Sequence, residues 1–198
     1  MKEFLFHRLD GQEARRFVQE LAELRLKVFF DFPYLYEGNL DYEKHYLETY
    51  FQAKHSFIFL VEHEGKIIGA TTGIWAKEEE DNFRRPFENN GMDPEKIFYF
   101  GESILLPEYR GKGLGKVFFE EREKFARSLP FIETLSFCSV LRDENHPLKP
   151  DHYQPLDNFW MGQGFLKAQN LTTQYEWQDR EETVPSFKNM QYWIKNLK

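Results

Sequence analysis

A short apolar block at residues 4–9 predicts a first strand. From residue 12 to 30, Ala14, Phe17, Leu21, Leu24 and Val28 step by three and four, which is one helix face; Pro33 and Gly38 end it. A second helix is predicted over 41–53, with Tyr42, Tyr46 and Tyr50 on one side. Residues 56–63 and 66–75 read as strands joined by a Glu64-Gly65 hairpin turn. Residues 77–94 are polar and interrupted by Pro86, Gly91 and Pro94, which predicts a surface excursion with room for a short helix. A strand over 97–106 is closed by Pro107. A helix follows over 113–128, with Leu114, Val117, Phe118 and Phe125 inward. A strand at 131–141 leads into a polar, proline-containing connection over 143–155, then a short helix at 155–162 stopped by Gly162 and Gly164. Residues 165–166 and 171–178 predict a closing hairpin, and 185–197 one more helix.

Helices and strands mix throughout, and hairpins join several strands. The expected class is α/β (α+β), a mixed, mostly antiparallel central sheet of about seven strands flanked by helices. With 198 residues and no linker-like composition break, one domain over 1–198 is expected. The net charge of −7 argues against a nucleic-acid partner, which would need an excess of Lys and Arg. Cys138 is the sole cysteine, so no intramolecular disulfide forms, which suits a reducing compartment. No apolar run approaches the ~18–20 residues that span a bilayer. The opening Met1-Lys2-Glu3-Phe4 leads into no signal-peptide core. The expectation is a soluble cytoplasmic protein without a membrane partner.

The most informative segment runs from Glu102 to Gly115, ESILLPEYRGKGLG. A strand ends, a glycine-rich turn follows, and an amphipathic helix begins. Unpaired N–H groups at a helix start, with the helix dipole, favour a phosphate there. Glycines let the backbone approach its oxygens, and Arg110, Lys112 and Lys116 add charge. Each hydrogen bond to a charged oxygen is worth roughly 1.5–3 kcal/mol. The spacing departs from the dinucleotide fingerprint G-x-G-x-x-G, because Gly115 follows Gly113 after one residue. It departs from a P-loop too, because Val117 follows Lys116 where a hydroxyl should hold magnesium.

The pattern Arg/Gln-x-x-Gly-x-Gly/Ala, filled by Arg110, Gly113 and Gly115, resembles the GNAT superfamily of N-acyltransferases. The element order over most of the chain is similar too, as is a short helix ending in Gly164-Phe165. Residues 137–160, from Phe137-Cys138 through His146-Pro147 to Phe159-Trp160, resemble one GNAT subgroup with some members fused to carbon–nitrogen hydrolases. The resemblance implies acetyl-CoA as co-substrate, no metal, and a small-molecule or peptide amine as acceptor, handled by a monomer or homodimer. It implies that Ile104, Leu105, Leu106, Arg110, Gly111, Lys112, Gly113, Leu114, Gly115 and Lys116 bind the cofactor. The strand before the turn would splay from its neighbour, and backbone N–H groups around 104–106 would steady the oxyanion. A non-catalytic acyl-CoA sensor remains the alternative.

Acyl transfer to an amine requires that the amine lose a proton and that the thiolate leave. Glu102, on the motif strand, is the candidate base, or else a strand-pairing carboxylate. Tyr34, Tyr36 and Tyr42 are candidate acceptor contacts, or else core aromatics; the family walls its acceptor pocket in this region. Many relatives carry a tyrosine acid where this chain has Trp160, whose indole yields no proton at ordinary pH. Tyr153, seven residues earlier, is the candidate acid, or else a pantetheine or acceptor contact. Cys138 reads as a buried, unreactive thiol, and His146 and His152 as loop residues or bases. No close cluster has metal-ligand spacing.

Overall fold

The computed structural model describes residues 4–197; Met1, Lys2, Glu3 and Lys198, within the expected domain span, lie outside the described residues. Seven strands form one sheet: β1 Leu5–Leu9, β2 Ser56–His63, β3 Lys66–Trp75, β4 Ile97–Leu105, β5 Thr134–Val140, β6 Leu166–Trp177 and β7 Ser186–Asn196. Their order is β1-β2-β3-β4-β5-β7-β6, and every pair is antiparallel except β4 with β5. The helices are α1 Gly11–Ala14, α2 Val18–Phe29, α3 Leu40–Gln52, α4 Asp81–Asn89, α5 Leu114–Arg127 and α6 Asp157–Gly162. The stretch expected as one helix over 12–30 is divided by a 3₁₀ turn at Arg15–Phe17.

Period-two alternation sorts the strand residues onto two cores. Ile58 and Leu60 of β2 join Leu21, Leu24 and Leu47 of α2 and α3 on one face. Phe57, Phe59 and Val61 meet Phe118 and Phe119 of α5 on the other. Helices cover both faces, so β2 reads as an unbroken apolar run rather than an alternation.

The phase changes within β4. Thr72 of β3 lies opposite Glu102, yet Ile74 lies opposite Tyr99, so Gly73 faces both Phe100 and Gly101. That extra residue is a β-bulge. Before it, Ile97 and Tyr99 face the α2–α3 core; after it, the even-numbered Ile104 does. Glu102 shares the parity of Ile104, and its carboxylate reaches Arg25 on α2. Without the bulge the same residue would point to α5.

The C-terminal segment corrects one expectation: residues 185–197 hold strand β7, not a helix. Met190, Trp193, Ile194 and Leu197 satisfy a helical spacing, but the apolar run is short and aromatic, and the sheet needs a strand between β5 and β6. Met190 and Tyr192 are buried on one side and Trp193 on the other. Residues 165–166 and 171–178 do not pair with each other; 166–177 is one edge strand, irregular between Lys167 and Thr172, and its partner is β7. Nor is 77–94 wholly a surface excursion. Phe83 and Phe87 of α4 pack on Tyr99 and Tyr192, and Glu79 is 3% exposed.

Candidate functional site

β4 and β5 pair only at Ile97–Thr134, Phe98–Leu135 and Tyr99–Ser136. Beyond the bulge β4 stays with β3 as far as Leu105, while β5 stays with β7 as far as Val140. A split opens between them. Leu106 donates its N–H to Ile68 O at 3.0 Å. Alternation in an antiparallel ladder then turns Ile104 toward β3 as well, and turns the N–H groups of Ser103 and Leu105 into the split. This corrects the expectation that donors run from Ile104 to Leu106. The outward peptide of Leu105 also accepts from Arg110 Nε at 3.2 Å.

The glycine turn stands at the end of β4. Gly111 and Gly113 have φ of +74° and +84°, values that a side chain strains to adopt. A Cβ on either would meet no atom within 4 Å. Gly113 caps α5, and its carbonyl accepts from Lys116 at 3.0 Å. Among the described residues the N–H groups of 111–115 have no backbone acceptor. Arg110, Lys112 and Lys116 are exposed around them, and the buried Leu114 anchors the first turn of the helix. Such a cradle fits a pyrophosphate.

Inside the split lies a cavity of 440 Å³, whose lining includes Tyr99, Gly101 and Glu102 of β4 and Cys138 of β5. Tyr34, Tyr36 and Tyr42 line its far wall with Phe29, Phe83 and Trp177. Burial, then a hydrogen bond with Glu43, raises the Tyr36 hydroxyl above its ordinary range. Arg25 is buried between two carboxylates, paired with Glu43 and Glu102. Burial opposes its charge, but Tyr46 and Glu43 outweigh that and hold its pKa above the usual value. Its guanidinium also lies 4.2 Å from the centre of the Tyr46 ring. Among the described residues, Glu102 Oε1 has no hydrogen-bond partner.

Cys138 lies on the cavity wall rather than in a sealed core, 3.0 Å from Tyr99 Oη. Burial pushes its thiol up to about 11, so it stays protonated at neutral pH. Trp160 is packed between Phe137 and Trp193, with ring centres 5.1 and 5.0 Å away. Tyr153 stands edge-on to Phe32 at 4.7 Å; burial, then the charge of Asp157, raises its pKa. Phe32 also touches His146, which is 3.7 Å from Glu181. Ligand-type atoms of His146, Asp179 and Glu181 lie within 4.8 Å of one another. Asp179, however, already holds Arg142 with both oxygens, at 2.5 and 2.8 Å, so a cation stands there already.

Four features escaped the sequence reading: the Arg25–Glu43 pair, Arg142, the Tyr46–Tyr50 pair as polar groups, and Glu79. Tyr46 Oη lies 3.3 Å from Tyr50 Oη, and Tyr50 donates to Glu79 Oε2 at 3.0 Å. The i, i+4 spacing of Tyr46 and Tyr50 was the one local signal.

Comparison with known proteins agrees with this architecture. A family model described as acetyltransferase (GNAT) family matches residues 18–152. No curated protein sequence matches. An N-acetyltransferase from Staphylococcus aureus superposes with a TM-score of 0.64 at 13% identity, covering 99% of each chain. A ribosomal-protein-alanine N-acetyltransferase from Brucella melitensis gives 0.62 at 13%, covering 98% of this chain and 99% of that one. The yncA protein of Salmonella typhimurium, solved with its cofactor acetyl-CoA, gives 0.61 at 12%, covering 99% and 95%.

Proposed function

The chain belongs to the GNAT acetyltransferase family, and on that premise we propose that it moves an acetyl group from acetyl-CoA to a primary amine by direct attack, with both substrates bound together. One observation carries this reading. β4 and β5 part beyond Tyr99, with the glycine turn following the end of β4 and a cavity walled by β4, β5 and the loop after α2 beside the split.

The chain's residues fit the co-substrate. Gly111 to Gly115 with Arg110, Lys112 and Lys116 would hold its pyrophosphate. The N–H groups of Ser103 and Leu105 would hold the arm and the acyl carbonyl along the split. The thioester supplies the activated acyl group. Glu102, with one oxygen unpartnered, accepts a hydrogen bond from the amine. Tyr34, Tyr36 and Tyr42 grip the rest of the acceptor, and Phe29, Phe83 and Trp177 suit apolar bulk beside the nitrogen. Glu80 and Glu176 also line the cavity, which favours a cationic guest over an anionic one. Tyr153, kept protonated by burial, is the hydroxyl assigned to the departing thiolate. Trp160 serves packing.

The acceptor is a small molecule or a peptide end, and nucleic acid is a poor match for a net charge of −7. Among the described residues no helix is long and apolar enough to cross a membrane. The single cysteine suits work in the cytoplasm.

The test is incubation with acetyl-CoA and a panel of alkylamines, arylalkylamines and peptides, following free thiol and product mass. Amine-dependent thiol release matched by acetylated amine supports transfer. Tight CoA binding with no product from any amine would make the chain an acyl-CoA sensor instead.

A further inference from the structure

From the cavity wall a chain of three side chains, Tyr46, Tyr50 and Glu79, runs inward. Tyr46 lines the cavity. Its hydroxyl meets that of Tyr50 at 3.3 Å, and Tyr50 donates to Glu79 Oε2 at 3.0 Å. The other oxygen of Glu79 accepts the N–H of Glu80 at 3.1 Å. Tyr50 is wholly buried and Glu79 nearly so.

Counting protons fixes the direction of this chain. A tyrosine has one hydroxyl proton. Above about pH 7, where Glu79 is ionised, that of Tyr50 is committed to the carboxylate, so Tyr46 is then the donor in the contact between the two hydroxyls. The proton of Tyr46 therefore points toward Tyr50, which leaves its oxygen lone pairs free to accept on a side chain that lines the cavity. That end receives a donor, and an ammonium is one.

The fold makes room for this arrangement at one position. A Cβ on Gly101, which sits in the β4 bulge, would lie 2.0 Å from Tyr50 Oη. The charges around the far end are mixed. Arg25 on α2 stabilises the Glu79 carboxylate, and Glu80 opposes it. Tyr46 and Tyr50 on α3, Cys138 on β5 and Tyr192 on β7 all face it. Burial dominates, and it raises Glu79 from 4.5 to about 7.

We propose that Tyr46, Tyr50 and Glu79 form a proton relay that deprotonates the acceptor ammonium; this rests on reading the cavity as the amine site. The ammonium proton passes to the Tyr46 oxygen, the Tyr46 proton to Tyr50, and the Tyr50 proton to the Glu79 carboxylate. Only N–H and O–H bonds break and form. The products are a neutral amine with a free electron pair and a carboxylic acid at Glu79. The hydrogen bonds then run in reverse, from Glu79 to Tyr50 to Tyr46, and the proton returns to the cavity by that order. Tyr46 touches the acceptor; Tyr50 and Glu79 act through it.

The test uses the full-length protein, benzylamine as an ammonium probe and aniline as a neutral one. By infrared titration without substrate, the wild type shows a buried carboxyl titrating near pH 7 that Glu79→Gln lacks. At pH 8, benzylamine should generate the protonated-carboxyl band in wild type and not in Tyr46→Phe or Tyr50→Phe. With acetyl-CoA, Tyr50→Phe should slow benzylamine acetylation by about 10²-fold and aniline acetylation far less, since only benzylamine enters as an ammonium that must lose a proton before it can attack. A carboxyl band that appears while no amine is acetylated keeps the relay and removes the acetyl-transfer reading. Acetylated benzylamine without that band, or equal slowing of both amines in Tyr50→Phe, overturns the relay.

Discussion

Arg142 holds Asp179 by two hydrogen bonds, of 2.5 and 2.8 Å, and with two more donors grips the carbonyls of Pro33 and Tyr34 at 2.6 and 2.5 Å. Trp177 Nε1 adds a bond to Tyr34 O at 3.1 Å. The loop carrying Tyr34 is thereby tied to the β6–β7 end of the sheet. Removing one partner of a buried pair strands the other charge and typically costs about 3–5 kcal/mol. Asp179→Ala should lose stability of that order in urea titrations. Kinetically it should raise the KM for the amine and spare that for acetyl-CoA. Equal change in both KM values would mean that the pair supports the fold and not the acceptor wall.

The cradle is best tested at Gly115. Gly113 is a poor choice, since its φ of +84° strains any side chain. A Cβ on Gly115 meets only the Phe159 ring, at 3.5 Å. A carboxylate in the first turn of a helix is worth about 0.3–1 kcal/mol in its favour. Gly115→Glu should therefore keep or gain stability, yet weaken CoA by at least tenfold in calorimetry, because the new charge repels the pyrophosphate. Unchanged CoA affinity would place the cofactor elsewhere.

What was legible in the sequence was local. The glycine turn announces itself because Gly111 and Gly113 need left-handed backbone beside a helix start, all within six residues. The apolar runs of β2 and β3 and the tyrosine-rich stretch from 34 to 50 were likewise readable. The rest depended on distant parts of the chain. Arg25 and Glu102 are far apart in sequence, and only the bulge at Phe100–Gly101 turns the second toward the first. Glu79 lies in a run of glutamates that looks like solvated surface until Tyr50 covers it. Strand β7 was ambiguous because 190, 193, 194 and 197 satisfy a helix as well as 190, 192 and 194 satisfy a strand.

Glu102 and Tyr153 separate by different kinetic signatures. Glu102→Gln should cut kcat/KM for the amine by about 10-fold or more while CoA affinity stays, because Glu102 faces the cavity and not the cradle. Tyr153→Phe should lower kcat by about 10²-fold if its hydroxyl serves the thiolate. A full-rate Tyr153→Phe enzyme, measured where chemistry limits turnover, would leave Tyr153 a packing partner of Phe32.

Glu79 also makes a prediction about stability. Its carboxyl sits at about 7 in the fold, through burial, against an ordinary 4.5. Between those values the folded chain holds a proton that the unfolded chain has released. Its contribution is therefore complete below about pH 4.5 and is lost as pH rises through about 7. The loss amounts to about 3 kcal/mol. Glu79→Gln, neutral at every pH, should lack this part of the slope. Parallel stability curves for the two proteins from pH 4.5 to 8 would show that Glu79 ionises in the fold as it does in the unfolded chain.

Direct attack in a ternary complex is decided by initial rates measured against both acetyl-CoA and an accepted amine, with intact mass of the protein after acetyl-CoA alone. The Cys138 thiol, held up at about 11, should carry no acetyl group, and double-reciprocal lines should intersect. Parallel lines with an acetyl adduct on Cys138 would contradict the account.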